Sequence, residues 1–205
     1  MRERSLTVFI IDDDASVRDS LSLMLGLAGY RVALFADAES FLESLRSDDS
    51  GCCIVDLKLP GKSGLDLQAD LAARSIDLPV IMITAHGDVP AARAAFRAHA
   101  IDFLEKPFPP EQLIAAIERA LESEGKRLER DASRSAEATK LARLTDRERE
   151  VLARVGQGLH AKEIALALGI SPRTVEVHKA HIMEKLAARN AIELVRFAID
   201  SDSTK

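Results

Sequence analysis

Leu6-Thr-Val-Phe-Ile-Ile-Asp-Asp-Asp14 decides how this chain folds: an apolar run of strand length that stops abruptly at Asp12 and Asp13. A second run, Gly51-Cys-Cys-Ile-Val55, stops in the same way at Asp56. As neighbouring parallel strands, the two runs would bring all three carboxylates to one sheet edge. Open α/β sheets place their ligand sites there, in the crevice beyond the carboxyl ends of the strands. Two unit negative charges about 5 Å apart repel by roughly 3 kcal/mol at an effective dielectric near 20. A hard divalent cation with oxygen ligands offsets that repulsion. Mg2+ suits the role, because it binds through one or two carboxylates and keeps waters for a phosphate. An acidic residue in a βα turn also serves as a helix N-cap, the role read for Asp14.

Two further runs lead to the same edge. Leu78-Pro-Val-Ile-Met-Ile83 reads as a buried strand ending at Thr84, and Ala100-Ile-Asp-Phe-Leu104 as another, leading into Glu105-Lys106-Pro107-Phe108. A hydroxyl and an ammonium then join the carboxylates. A carboxylate that accepts a phosphoryl group needs a metal for charge neutralisation, a cation opposite it and a hydroxyl to follow the new oxygens. Asp56, Asp13 with Mg2+, Lys106 and Thr84 fill those roles.

Between these strands the apolar spacing turns helical. A helix over about 15–28 carries Val17, Leu21, Met24, Leu25 and Ala28 on one stripe and ends at Gly29. A strand over 31–35 and helices over about 38–46, 64–73 and 89–99 complete the alternation, and a fifth helix opens at Pro109-Pro110 with Leu113, Ile114, Ile117 and Leu121 inward. Five strands alternating with helices imply a five-stranded, doubly wound parallel sheet of the flavodoxin-like kind.

Four motifs in order, Ile10-Ile-Asp-Asp-Asp14, Val55-Asp-Leu-Lys-Leu-Pro60-Gly61, Ile83-Thr-Ala-His-Gly87 and Lys106-Pro107, resemble the receiver domain of bacterial response regulators. The resemblance implies that Asp56 is the phosphoacceptor, and that Asp13, Asp56 and the backbone carbonyl of Lys58 hold Mg2+, with Asp12 acting mostly through water. It further implies that Lys106 pairs with the phosphoryl group and that Lys106-Pro107 is a cis peptide. It names a cognate sensor histidine kinase as partner.

Past the fifth helix, residues 122–143 are rich in Glu, Arg, Ala and Ser with no Pro and only Gly125, so they read as a helical linker rather than a floppy tether. The expected division is 1–121, a linker over 122–143, and a second domain over 144–205. In that domain Thr145-Asp-Arg-Glu148 is a capping box opening a helix with Val151, Leu152 and Val155 inward. A short helix over 161–168 follows, then Gly169, and then Ser171-Pro172 as N-cap and N1 of a helix running to about Ala188, with a last helix over 191–200. Two helices joined by a short Gly-containing turn form a helix-turn-helix, whose second helix enters the DNA major groove.

Charge supports that division. Residues 1–124 carry 12 Lys and Arg against 21 Asp and Glu, whereas 125–205 carry 16 against 12, so the overall −5 conceals a basic second half. An acidic first half would repel DNA and a basic second half attract it. No stretch approaches the roughly 18 uninterrupted apolar residues of a membrane span, and Met1-Arg-Glu-Arg-Ser5 runs straight into a strand, so no membrane partner is expected and a cytoplasmic location is. Cys52 and Cys53 are adjacent in a strand, point to opposite faces and read as core packing rather than a disulfide.

Leu144-Thr-Asp-Arg-Glu-Arg-Glu-Val-Leu152, Lys162-Glu-Ile-Ala165, Ile170-Ser-Pro-Arg-Thr-Val-Glu-Val-His178 and Ile182-Met-Glu-Lys-Leu186 resemble the output domain of NarL/LuxR-type regulators. With Thr84-Ala-His-Gly-Asp-Val-Pro90, the whole is similar to the FixJ/StyR branch. By position, Glu176, Val177 and Ala180 would face base edges, while Lys162, Arg173, Thr174, Lys179 and Lys185 lie nearer phosphates, where they position without reading sequence. Many relatives carry a cation where this chain has Glu176. A carboxylate there repels phosphate but accepts from a cytosine amino group, so the DNA site read would differ. His178 and His181 lack nearby Cys or acidic partners for a metal.

The resemblance implies a switch. A phosphoryl group on Asp56 draws Thr84 and Lys106 toward it, and Phe103 turns into the space that Thr84 vacates; plain core packing is the other reading of Phe103. The face of helix 88–99 and strand 101–104, with Arg93 and Arg97, then forms a homodimer that binds a two-part promoter site. RNA polymerase is a further partner of such regulators. Two rival readings stand beside this one. A Mg2+ phosphatase lacks a general acid or base beside Asp56, and a regulator that works without phosphorylation, through DNA or protein contacts, shares every motif of the second domain.

Overall fold

The computed structural model describes residues 6–85 and 89–202, so His86, Gly87 and Asp88 of the fourth-strand motif and the Met1–Ser5 lead-in lie outside the described residues. β1 (Thr7–Ile11), β2 (Arg31–Phe35), β3 (Gly51–Asp56), β4 (Val80–Thr84) and β5 (Asp102–Glu105) form one parallel sheet in the order β2-β1-β3-β4-β5. The chain adds β2 on one side of β1 and β3 on the other. The carboxyl ends of β1 and β3 therefore flank the topological switch point.

Both faces of the sheet are covered, which is why its inner strands read as continuous apolar runs rather than alternating ones. Val8, Ile10, Cys52, Ile54, Ile81 and Ile83 point to one face, where they pack with Leu21 and Leu25 of α1 (Ala15–Leu27) and with Leu113 and Ile117 of α5 (Pro110–Ala142). Phe9, Ile11, Cys53, Val55, Val80 and Met82 point to the other. There they meet Phe41 of α2 (Ala38–Ser44), Leu67 and Leu71 of α3 (Gly64–Ala73) and Ala95 of α4 (Val89–Arg97). The adjacent cysteines divide between the two cores and form no disulfide. Burial pushes the Cys52 thiol up to about 12 and Cys53 well above its usual range, so neither is a nucleophile at neutral pH.

Several boundaries differ from the sequence reading: α2 ends at Ser44 rather than near Arg46, the helix that opens at Pro172 ends at Leu186 rather than near Ala188, and the last helix, from Ala191, runs to Asp202. β4 begins at Val80 because Pro79, before it, has no N–H for the ladder and contributes only its carbonyl, to Cys53 N at 2.8 Å. The described strand β5 starts at Asp102, two residues later than expected. α4 stops at Arg97 because His99 takes a left-handed conformation (φ 67°), closing the helix through Ala100 N to Ala95 O. Gly51 is required where β3 starts: at φ 144°, a Cβ there would lie 1.8 Å from the Thr7 carbonyl oxygen.

α5 continues as one helix to Ala142, and the boundary between the chain's two compact units falls inside it, after Leu128. In the second unit, α6 (Asp146–Gly156), α7 (Ala161–Leu168), α8 (Pro172–Leu186) and α9 (Ala191–Asp202) enclose Val151, Leu152, Ile164, Val175, Ile182, Leu186, Leu194 and Phe197. The last turns of α5 belong to this unit: Leu141 packs on its core, and the Lys140 ammonium lies 5.7 Å over the Phe197 ring. Gly169, left-handed at φ 66°, ends α7, and Ser171 caps α8 with Pro172 at N1, so the helix-turn-helix geometry follows from these residues. α6 and α9 approach closely at Gly156, where a Cβ would lie 2.7 Å from the Ala198 Cβ. No helix among the described residues is long and apolar enough to cross a membrane.

Candidate functional site

The register that pairs Ile11 with Val55 sets Asp12 beside Asp56 at the switch point. Asp12 is fully buried; one of its oxygens accepts from the Asp14 backbone N–H (2.9 Å) and the other from the Lys106 ammonium (2.6 Å). Asp56, also buried, accepts from the same ammonium at 2.9 Å and from the Lys58 N–H at 3.2 Å. Asp13 is exposed beside them, and one oxygen from each of the three carboxylates lies within 4.8 Å of the others. Asp14 caps α1 as expected: hydrogen bonds from the Ser16 side chain and backbone hold its carboxyl below the usual range.

Lys106 reaches the site because its own N–H bonds the Thr84 carbonyl (2.7 Å), carrying the end of β5 across the end of β4; the Lys106-Pro107 peptide is cis, as the resemblance implies. Burial acts against its charge. The hydrogen bonds to Asp12 and Asp56 and the attraction of both carboxylates outweigh that and raise its pKa above the usual lysine value. Thr84 is fully enclosed at the end of β4. Phe103, opposite Met82 in the sheet, is half-buried against the core on the α2, α3 and α4 side. On α4, Arg93 and Arg97 are exposed, as are Val89 and Phe96.

Two residues that the sequence reading did not single out support this site. Arg18 donates to the Asp12 carbonyl at 2.6 Å, a contact with no sequence signal. Gly64 opens α3 against the Asp56 backbone, where a Cβ would lie 2.5 Å from the Asp56 carbonyl oxygen. Its signal was a glycine in the first turn of a helix, where that residue is a poor former.

Three carboxylates facing one ammonium leave an excess of negative charge. A cluster of hard oxygen donors with that excess fits a divalent cation, and it is the metal-competent group found among the described residues. His178 and His181 do not join such a group.

In the second unit α8 presents Arg173, Glu176, Val177 and Ala180 on its exposed side, with Thr174 and Lys179 partly covered. The Thr174 hydroxyl pairs with that of Ser171 in the cap (2.8 Å), and the Lys179 ammonium donates to Glu176 at 3.2 Å. Lys162 is exposed on α7. Lys185 is placed differently: its ammonium donates to both oxygens of the buried Glu148, at 2.9 and 2.6 Å.

A doubly wound sheet with an acidic crevice answered by one lysine, followed by a helix-turn-helix unit, defines the response regulators with a DNA-binding output domain. Residues 8–118 match the response regulator receiver domain and residues 142–198 the LuxR family of bacterial regulatory proteins, and the chain belongs to this family of FixJ-like transcriptional response regulators. It is 44% identical to the transcriptional regulatory protein FixJ of Azorhizobium caulinodans over 95% of this chain and 92% of that one. It is 41% identical to FixJ of Bradyrhizobium diazoefficiens over 94% of each. The solved structure of the response regulator StyR superposes with a TM-score of 0.85 at 41% identity, covering 94% of this chain and 98% of StyR.

Proposed function

We propose that this regulator is switched by phosphorylation of Asp56 by a sensor histidine kinase, and that the phosphorylated chain pairs with a second copy and binds promoter DNA. The observation that carries this reading is the single Lys106 ammonium shared between Asp12 and Asp56 at the switch point. It leaves Asp56 a nucleophilic oxygen beside a cation able to follow the incoming charge. In the transfer an Asp56 oxygen attacks phosphorus as the phosphorus–nitrogen bond to the kinase histidine breaks, and the freed imidazole is left to take up a proton. Asp12, Asp13, Asp56 and the Lys58 carbonyl would hold Mg2+, which supplies charge neutralisation on the phosphoryl oxygens.

The phosphoryl group adds roughly one negative charge and three acceptor oxygens. Lys106 turns to them, the Thr84 hydroxyl follows, and Phe103 moves into the space Thr84 leaves. The α4–β5 face with Arg93 and Arg97 then pairs with its copy. We read 1–121 as the phosphoacceptor domain, 122–143 as the connecting helix and 144–205 as the DNA-binding domain, in which Glu176, Val177 and Ala180 face base edges and Lys162, Arg173, Thr174 and Lys179 face phosphates. RNA polymerase is the onward partner, and a chromosomal target puts the protein in the cytoplasm.

The test is retention of genomic fragments and sedimentation velocity, each with and without acetyl phosphate and Mg2+. The wild-type chain should dimerise and enrich a few promoters only when phosphorylated, and Asp56→Ala should do neither. Phosphate-dependent dimerisation of Asp56→Ala would refute the assignment.

A further inference from the structure

Glu148 is a charged side chain only 4% exposed, and it is used twice. As N3 of the capping box it accepts from the Thr145 N–H (2.8 Å) and the Thr145 hydroxyl (3.1 Å) at the start of α6. That duty needs no charge, since a glutamine at N3 completes such a box equally well. The second duty does: both carboxylate oxygens take the Lys185 ammonium, which comes from the last turn of α8, 37 residues along the chain. Burial would favour the neutral acid, but the Lys185 and Thr145 hydrogen bonds outweigh it and hold the Glu148 carboxyl below its usual range, so the pair is ionic.

We infer that Glu148 and Lys185 are positioning residues for DNA recognition, a tether fixing the C-terminal end of α8 against the start of α6 and thereby the angle at which α8 presents Glu176, Val177 and Ala180. This rests on α8 being the DNA-reading helix. Ser171 and Val175 anchor the other end of α8, as cap and core residue, while Ile182 and Leu186 seat its inner face in the core beside the tether, which sets how the helix tilts on that core. Val175 and Lys185 are about 15 Å apart along the axis at roughly 1.5 Å per residue. A slip of about 3 Å at the tethered end therefore turns the helix by about 11°, within the 10–20° at which a preorganised site loses its geometry. With two of its three donors directed to Glu148, the Lys185 ammonium differs from the exposed cations Arg173 and Lys162.

The two roles for Lys185 predict opposite signs. The probe is a duplex selected from a random-sequence pool on the wild-type chain with acetyl phosphate and Mg2+, and binding is measured across a salt series at a temperature where circular dichroism shows each variant folded. Glu148→Gln keeps the capping box, removes a negative charge near DNA and frees Lys185. A tether predicts binding weaker by on the order of tenfold, the loss of about one good base contact. A phosphate contact predicts binding as tight as wild type or tighter. Lys185→Met should weaken binding with an unchanged salt slope, and Lys185→Arg should restore it. A slope reduced by about 0.9 in Lys185→Met, the signature of one lost phosphate contact, would overturn the inference. The lysine variants leave the box intact and carry the test if Glu148→Gln does not fold. Should the wild-type chain select no duplex, the DNA reading itself fails. The tether is then judged by unfolding of the two single variants and their double: coupled losses support it and additive losses sink it.

Discussion

Replacing Lys106 with methionine keeps most of the side-chain stem and removes the one ammonium bridging Asp12 and Asp56. In the wild-type chain that ammonium lies 2.6 and 2.9 Å from the two carboxylates, with 18% of its side chain exposed and none of Asp12. Removing one partner of a buried ion pair costs about 3–5 kcal/mol, because the remaining charges stay enclosed and uncompensated. The partial exposure of Lys106 argues for the lower end, roughly 3 kcal/mol. For a domain of this size, that corresponds to a fall in melting temperature of about 10 °C. The same change removes a positive charge that competes with a divalent cation for the carboxylates. Mg2+ should therefore stabilise Lys106→Met more than it does the wild type. Unfolding is followed by tyrosine fluorescence in chelator and in Mg2+. Tyr30 is the chain's sole tyrosine, there is no tryptophan, and it packs in the α1–α5 core, so the signal reports the first unit alone. A Lys106→Met variant as stable as wild type in chelator, or one gaining no more from Mg2+, would show that the ammonium does not balance the cluster.

Gly64→Ala should lower the stability of the first unit by about 2 kcal/mol, in the range of an overpacked core, and slow phosphoryl uptake from acetyl phosphate, because its methyl meets the Asp56 carbonyl oxygen at 2.5 Å. Tyr30 unfolding and intact-mass kinetics check both. Gly156→Val should force α6 from α9 at Ala198 and melt the second unit first, leaving the Tyr30 transition in place; a circular dichroism melt resolves the two steps. The pH limits follow from the two lysine pairs. Glu148 is lowered, so its contribution is complete above its ordinary 4.5 and fades as pH falls through its folded value. Lys106 is raised, so its contribution is complete below 10.5 and is lost as pH climbs through its folded value. Glu148→Gln should flatten the acid limb of the second unit's stability curve; an unaltered limb would assign acid lability to other groups.

The strands were legible because a sheet covered on both faces leaves uninterrupted apolar runs, and the acidic cluster was legible because each run ends at its carboxylate. What escaped had partners set by tertiary distance. Lys106 could be brought to the correct edge from sequence, but its division between Asp12 and Asp56, 94 and 50 residues away, depends on how the ends of β1, β3 and β5 align. The ends of β4 and α4 shifted for local reasons, a proline without an N–H and a left-handed His99 that no spacing rule foretells. Helix spacing sets Lys185 on a face toward phosphate and is silent on its pairing with Glu148. The capping box gave Glu148 one duty, and nothing in its spacing from Lys185 reveals a second.

The two lysine pairs differ in a way that bears on what each unit does. Glu148 and Lys185 balance one charge against one, and the carboxylate has further donors from Thr145, so the arrangement is closed. Such a pair, broken only at the cost of a buried unpaired charge, fits a fixed geometry. Asp12, Asp13 and Asp56 against Lys106 are unbalanced, with one ammonium divided between two carboxylates and a third carboxylate exposed beside them. An unbalanced cluster responds to any added charge, and the ammonium moves wherever the new charge is placed. On the function proposed above, the first unit is built to be perturbed at Asp56 and the second to present one surface without adjustment. A signal received on Asp56 would then be read out by bringing two output units together rather than by reshaping either, and Lys106→Met should abolish phosphate-dependent pairing while leaving the melting of the second unit unchanged.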